Sequence, residues 1–127
     1  MSVMRNLVVC TAALAVALSQ PALAGDAGDP AQSCDGSTGE MVDCLGAKIA
    51  RWDKRMTIAY QEALKNAASP LQHDQLRTAQ RLWIQYRDAN CLYYGMGEGT
   101  IARVDAAECM RSMTEARARE LEGLGHQ

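Results

Sequence analysis

The sequence predicts an all-α protein, a small three-helix bundle braced by disulfides. Three segments repeat apolar residues at helical spacing, and two of them follow a serine-initiated helix-start motif. No segment combines the alternation and the turn residues of a β-hairpin. Four of the five cysteines lie beyond residue 30, and this even number suits two disulfides in a small exported domain.

The first 24 residues have the order of a secretory signal peptide. A basic residue, Arg5, precedes an apolar run over 7–18, and Ala22-Leu23-Ala24 is a small-x-small cleavage motif. The run is shorter than the roughly 20 residues that cross a bilayer, so we expect no membrane insertion. Cys10 lies inside the run rather than after it, which disfavours lipidation. We therefore expect residues 1–24 to be removed and the mature protein to be periplasmic or secreted.

Acidic residues slightly outnumber basic ones, 15 to 13, for a net charge of −2. Loss of Arg5 with the signal peptide would make this charge −3, and no basic face suggests a nucleic-acid partner. Residues 25–36 are rich in Gly, Asp, Ser and Pro, which predicts a flexible leader segment. Residues 37–127 are then expected to form one helical domain.

Helix 1 is expected to begin at Ser37-Thr38-Gly39-Glu40, which has the S-x-x-E form of a capping box, and to run to about Ala67. Its broad apolar face comprises Val42, Leu45, Ile49, Trp52, Met56, Tyr60, Ala63 and Leu64. Asp53 sits in the middle of that face. A carboxylate in this position needs a partner, because an unpaired buried charge is costly.

Helix 2 is expected to begin with Ser69 as N-cap and Pro70 at the first helical position, and to run to about Tyr94. Its predicted core face comprises Leu76, Ala79, Trp83, Tyr86, Arg87, Asn90 and Tyr94. Because the sequence has no phenylalanine, the tryptophans and tyrosines are expected to supply most of the large core volume. Three glycines within residues 95–99 end the helix.

Helix 3 is expected to start at Thr100 or at Asp105, and to end near Glu122 with Gly123 as a left-handed cap. Arg117 on this helix is expected to point inward and to be structural.

The short connection at Ser69 predicts that helices 1 and 2 are antiparallel neighbours. Asp53 and Arg87 would then lie level to within about one helical rise. We therefore predict a largely buried, structural ion pair between them, whose disruption would cost about 3–5 kcal/mol. Trp83, Tyr86 and Asn90 complete the expected core motif of helix 2.

The four cysteines Cys34, Cys44, Cys91 and Cys109 are expected to gather at one end of the bundle. Local pairing, Cys34–Cys44 with Cys91–Cys109, needs helix 3 to begin late, at Asp105. Crossed pairing would instead tie the leader to helix 2 or helix 3, and it would close longer loops. The position of Cys44 toward the edge of the apolar face of helix 1 favours local pairing. No two of these cysteines have the close spacing of a structural zinc site, so no metal is expected.

A characteristic string in helix 2 is Gln80-x-x-Trp83-Ile84-x-Tyr86-Arg87-Asp88-Ala89-x-Cys91. Other motifs are Cys34, Glu40-Met41-x-x-Cys44, Asp53-x-x-Met56-x-x-x-Tyr60, Gly97-Glu98-Gly99-Thr100 and Cys109-x-x-x-x-Thr114-x-x-Arg117-x-x-x-Leu121. Together they resemble the LprI N-terminal-like family of exported bacterial domains, over nearly the whole expected mature chain. Met56-Thr57 departs from the Leu-Asn that usually follows the family's Asp-x-x. The family is named after a lipoprotein that inhibits lysozyme, so the resemblance implies that kind of partner.

The first function that we consider is a periplasmic inhibitor of lysozyme or a related muramidase. Such an inhibitor needs a braced scaffold and an exposed element that enters a cleft containing carboxylates. The loop from Gly95 to Thr100 is the best candidate for this element, together with Arg103, because its glycines permit close backbone approach. The predicted binding residues are Gly97, Glu98, Gly99, Thr100 and Arg103. Glu98 would suit the basic rim of a lysozyme cleft.

The alternative function is an envelope binding or stress module for another exported protein or a peptidoglycan fragment, without lysozyme inhibition. An enzyme is disfavoured, and no cofactor is expected. His73 lies beside a helix start and His126 lies in the terminal tail, while four paired cysteines leave no nucleophile.

Overall fold

The computed structural model describes residues 33–125 and confirms the all-α bundle. Within this range the chain forms α1 (Thr38–Lys65), α2 (Pro70–Gly95) and α3 (Ile101–Leu124). The signal peptide expected over residues 1–24 lies outside the described residues, as do Cys10 and His126. None of these three helices is both long enough and apolar enough to cross a membrane.

The predicted capping box starts α1. The Ser37 hydroxyl accepts a hydrogen bond from the backbone N–H of Glu40 at 3.3 Å, and the Glu40 carboxylate accepts one from the backbone N–H of Ser37 at 2.8 Å. Two amides at the helix start are thereby satisfied. Hydrogen bonds from the Ser37 hydroxyl and then from its backbone N–H lower the pKa of Glu40 below its ordinary value.

The start of α2 is also as predicted, with Ser69 as N-cap and Pro70 as the first helical residue. The Ser69 hydroxyl accepts from the backbone N–H of Gln72 at 3.2 Å. The Gln72 side chain accepts from Ala68 at 2.6 Å rather than from the cap residue itself. These two hydrogen bonds resemble a capping box in which the return bond is shifted by one residue, and they satisfy two backbone amides at this end.

The central helix is α3. Both α1 and α2 pack against it, whereas α1 and α2 contact each other in few places. The two helices are antiparallel neighbours as predicted, since Asp53 meets Arg87 and Met56 meets Gln80, but their direct contact is small. The reason lies in side-chain size: the α1–α3 contact includes small residues such as Ala59 and Ala118, whereas long polar side chains of α2 point toward α1.

The apolar core lies mainly between α1 and α3. It consists of Trp52, Met56, Ala59, Ala118 and Leu121, with Tyr60, Leu76 and Trp83 partly buried against it. The helix-1 face was predicted correctly in its centre, since Leu45, Trp52, Met56 and Ala63 are all buried. The tyrosines of α2 do not contribute the core volume expected of them, because all three are exposed.

Both ends of α3 refine the prediction. The helix begins at Ile101, immediately after the first predicted start, and not at Asp105. It ends at Leu124, so Gly123 lies within the helix, and the cap residue Gly125 has a right-handed φ of −70°. A left-handed cap is not needed here, because Asn66 donates a hydrogen bond to the Gly125 carbonyl at 3.1 Å and helps to satisfy this end.

Both disulfides are local, as favoured by the sequence. Cys34 pairs with Cys44 and Cys91 with Cys109, at Cα–Cα distances of 5.6 and 5.4 Å. The condition attached to this pairing, a late start of helix 3, is wrong. The connection over residues 96–100 is short enough to bring Cys109 back beside the last turns of α2 even though α3 begins at Ile101.

Candidate functional site

Arg87 joins the three helices through its guanidinium. Its side chain is only 11% exposed, and it pairs with Asp88 at 2.9 Å and Asp53 at 3.4 Å. It also donates a hydrogen bond to the hydroxyl of the fully buried Thr114 at 3.3 Å. Each helix thus supplies one acceptor, which satisfies a cation that would be costly to bury alone.

The expectation of a largely buried ion pair is wrong for Asp53, whose side chain is 55% exposed. Asp53 follows the buried Trp52 by one residue, about 100° around the helix, which carries the carboxylate to the solvent edge of α1. Water screens a pair of this kind, so it stabilises the fold by less than the expected 3–5 kcal/mol. The contacts of Arg87 with all three helices are those that its predicted structural role requires.

Trp83 lies between two arginines. Its ring centroid is 5.2 Å from the guanidinium carbon of Arg87 and 5.9 Å from that of Arg117, both within cation–π range. Arg117 points inward as expected, donates to the Gln80 side chain at 2.9 Å and pairs with Glu120 at 2.8 Å. Gln80 is buried yet missing from the predicted core face. The signal was its position two turns before Arg87, on the same side of the helix.

Tyr86, predicted in both the core face and the core motif, and Tyr94, predicted in the core face, are not buried, because 61% and 46% of their surface is exposed. The residues of α2 that are buried are Gln80, Arg87 and Cys91. Tyr86 lies about 100° around the helix from Arg87, so an arc wide enough to hold both extends beyond the buried face. Asn90 is half-buried, and its amide donates toward the sulfur of Met113 at 3.3 Å.

The connection between α2 and α3 forms an exposed end of the bundle, which we call the tip and define as residues 93–101. The backbone N–H of Gly97 donates to the carbonyl of Tyr94 at 3.2 Å. Gly99 has a φ of +76°, in the left-handed region that favours glycine. A Cβ on Gly97 would lie 3.3 Å from the Tyr94 carbonyl oxygen, so this position also favours glycine. These two glycines set the shape of the tip.

The base of the tip is anchored in the bundle. Cys91, which is 3% exposed, is bonded to Cys109 just before the tip begins. Ala102, which is 4% exposed, lies directly after the tip. Both ends of the connection are therefore fixed to buried positions, which limits the entropy that the tip would lose on binding a partner.

Large apolar side chains cover the tip, and the sequence-based site did not include them. Tyr93 is 75% exposed, Met96 is 77% exposed and Ile101 is 50% exposed. The rings of Tyr93 and Tyr94 meet edge to face with centroids 5.4 Å apart. Tyrosine and methionine are enriched in protein interfaces, so this surface has the composition of a partner site. The sequence does contain a signal for these apolar residues, because they lie directly beside the glycines of the predicted loop.

The charges of the tip region are Glu98 and, just beyond it, Arg103. Both are exposed, as are Gly97, Gly99 and Thr100. Within residues 33–125, neither charged side chain makes a hydrogen bond or an ion pair. Thr100 precedes α3 without a side-chain hydrogen bond to its first turn. The loop predicted from the sequence is thus accessible along its length.

Other reactive side chains in the described range have structural roles or are isolated. No group of three or more His, Cys, Asp or Glu residues in this range is placed to hold a metal ion. All four of its cysteines form disulfides, and Glu40 belongs to the cap of α1. His73 lies beside Asp74 with 3.4 Å between their side chains.

A comparison with protein families covers most of the chain. A family model described as lysozyme inhibitor LprI matches residues 29–121, a range that includes both disulfides, the tip and the Arg87 contacts. No curated protein and no solved structure matches the chain. The matched range also contains every motif on which the resemblance rests. The chain therefore belongs to the lysozyme inhibitor LprI family.

Proposed function

We propose that this protein is an exported inhibitor of lysozyme or a related muramidase, and that the tip is the element that enters the enzyme's cleft. Membership of the family supports the class of partner. The observation that carries the choice of site is the exposure of Tyr93, Met96 and Ile101 on a disulfide-anchored base. Large exposed side chains on a preorganised element are what a protein interface requires.

The shape of the tip suits a cleft. It is the end at which α2 turns into α3, and its connection over residues 96–100 is short. At Gly97 and Gly99 the absence of side chains lets a partner approach the backbone closely. A short turn with little side-chain bulk suits entry into a groove.

The charges of the tip suit the chemistry of the cleft. Glycosidases of this type work with a pair of carboxyl groups. Arg103 would bring a positive charge toward them, and the start of α3, which no side chain caps, adds the partial positive charge of a helix N-terminus. Glu98 would contact the basic rim, and the net charge of −2 would favour encounter with a basic enzyme.

The test is the lysis of a cell-wall suspension by lysozyme, followed by turbidity, with the mature oxidised protein added. The parent is expected to slow lysis. The double substitution Glu98→Ala with Arg103→Ala, and separately Tyr94→Ala with Ile101→Ala, should each weaken inhibition by about tenfold or more. Ile58→Ala on α1 is the matched control, because Ile58 is 53% exposed and lies away from the tip.

Circular dichroism should show unchanged helicity in all variants, because the substituted side chains are exposed. Equal inhibition by tip variants and parent would place the interface elsewhere on the bundle. A parent that leaves lysis unchanged would favour the alternative, an envelope binding or stress module for another exported protein or a peptidoglycan fragment.

A further inference from the structure

A second apolar face of α2 points away from the bundle. Leu82 is 57% exposed, Tyr86 is 61% exposed and Tyr93 is 75% exposed. The positions of α2 that the bundle does bury are Gln80, Arg87 and Cys91, of which two are polar. Most large apolar side chains of this helix are therefore not used by the fold.

The exposed face has the spacing of a coiled-coil seam. Its residues are separated alternately by three and four positions, and we call them the α2 stripe: Ala79, Leu82, Tyr86, Ala89, Tyr93 and Met96. This is the a/d pattern by which one helix packs along another. The stripe contains no charged residue, and the neighbouring positions on its outer side, Thr78, Gln85 and Leu92, are also uncharged.

We propose that the α2 stripe pairs with the α2 stripe of a second copy of this chain, antiparallel and across a twofold axis. Tyr93 and Met96 belong to both the stripe and the tip, so this dimer buries part of the surface proposed for lysozyme, and only the monomer would bind the enzyme. In the register whose axis lies between Tyr86 and Ala89, the large Tyr86 of one copy faces the small Ala89 of the other. Leu82 then faces Tyr93, and Ala79 faces Met96. Two of the three distinct layers join a large side chain to a small one, which favours tight packing. The third layer, Leu82 with Tyr93, joins two large side chains. A twofold contact of this kind closes on itself and forms a dimer.

A parallel pairing fits the same residues less well. It would place Tyr86 against Tyr86 and Ala89 against Ala89, so that crowded layers would alternate with empty ones. Voids and overpacked positions both destabilise an interface. The sequence of sizes along the stripe therefore selects the antiparallel arrangement.

The exposed apolar area approaches what a stable dimer buries on each partner. Leu82, Tyr86, Leu92, Tyr93 and Met96 expose between 57% and 77% of their surface. At about 200 Å² for each full side chain, they offer roughly 650 Å² of mainly apolar surface. A stable interface buries about 800 Å² on each partner, so these five side chains supply most of that area. The absence of charge on the stripe also removes repulsion between two identical faces.

Sedimentation velocity of the mature, oxidised protein over a series of concentrations tests the proposal. We expect a reversible equilibrium between monomer and dimer. Leu82→Lys and Tyr93→Glu should each weaken the dimer by about tenfold or more, because each places a charge in the apolar seam. Ile58→Lys, at an equally exposed apolar position of α1, should leave the equilibrium unchanged.

A mixture of the two variants tests the antiparallel register. When the Leu82→Lys chain pairs with the Tyr93→Glu chain, one layer joins the introduced lysine to the introduced glutamate, and the symmetric layer keeps the native Leu82 and Tyr93. Dimerisation should therefore recover in the equimolar mixture beyond either variant alone. The proposal is overturned by a parent that stays monomeric, by a dimer that both stripe substitutions leave intact, or by a mixture that does not recover.

Discussion

At the residue scale, Arg87 shows how polar groups hold this bundle together. The guanidinium receives one acceptor from each helix: Asp53, Asp88 and the hydroxyl of Thr114. Its two carboxylate partners are both 55% exposed, whereas Thr114 is fully buried. Removing the cation therefore affects the core, while removing either carboxylate affects mainly the surface.

This difference predicts unequal costs of substitution. Arg87→Met should lower the free energy of unfolding by about 2–3 kcal/mol, because the buried Thr114 hydroxyl loses a donor and the Trp83 ring loses a cation. Asp53→Leu should cost less than about 1 kcal/mol, since its carboxylate is half-exposed. Urea denaturation of both variants and of the double variant measures the coupling. Equal costs for the two single substitutions would contradict the asymmetric burial.

At the element scale, each helix depends on local devices that can be tested separately. The capping box of Ser37 and Glu40 starts α1, and Ser69 with Pro70 starts α2. The two disulfides act on different elements: Cys34–Cys44 ties the leader to α1, and Cys91–Cys109 ties α2 to α3 below the tip.

The capping box predicts a pH dependence. The pKa of Glu40 is lowered in the folded protein by hydrogen bonds from Ser37, so its contribution to stability is present above the pKa of the unfolded chain. That contribution is lost as the pH falls through the lowered folded value. Ser37→Ala should therefore reduce the urea midpoint at neutral pH and flatten its decrease in acid. A parallel decrease in parent and variant would show that the cap does not couple to the carboxylate.

Both disulfides are expected to stabilise the fold, but only Cys91–Cys109 is expected to affect lysozyme inhibition. Replacing Cys91 and Cys109 by serine should cost about 3 kcal/mol for the 18-residue separation and should also weaken lysozyme inhibition, because the tip loses its anchor. The matched control replaces Cys34 and Cys44, which are 10 residues apart and distant from the tip in sequence. It should cost a few tenths of a kcal/mol less and leave inhibition unchanged. Thermal unfolding and the lysis assay provide the two readouts, and equal loss of inhibition in both variants would argue against an anchored tip.

At the scale of the whole molecule, α3 determines the arrangement because both other helices pack on it. The starts of α1 and α2 could be predicted from the sequence, since capping acts over a few residues. Local disulfide pairing was favoured, but the late start of helix 3 attached to it was wrong. The packing partners could not, because they depend on side-chain sizes across helices, such as the small Ala59 of α1 and Ala118 of α3 in the core cluster. The candidate site could likewise be predicted only in part. The glycines indicated the loop, but the exposure of Tyr93 and Tyr94 beside it could not be read from the sequence. Periodicity alone does not distinguish an apolar face that the bundle buries from one left for a partner.

Export is the expectation that concerns the whole chain. We expect protein purified from the periplasm to begin at Gly25 and to be lighter by four hydrogens than its reduced form, because both disulfides are closed. Intact-mass spectrometry before and after reduction measures both properties. A chain that retains Met1, or a lipid mass attached to Cys10, would contradict the export route.

Occupation of the lysozyme cleft by the tip is measured by competition. Titration calorimetry of lysozyme with this protein is carried out with and without a saturating short chito-oligosaccharide, which fills the cleft. If the tip enters the cleft, the two ligands exclude each other, and the apparent affinity for the protein falls in proportion to the occupancy of the sugar. An affinity that the oligosaccharide leaves unchanged, or no binding in either titration, would contradict an inhibitor that acts through its tip.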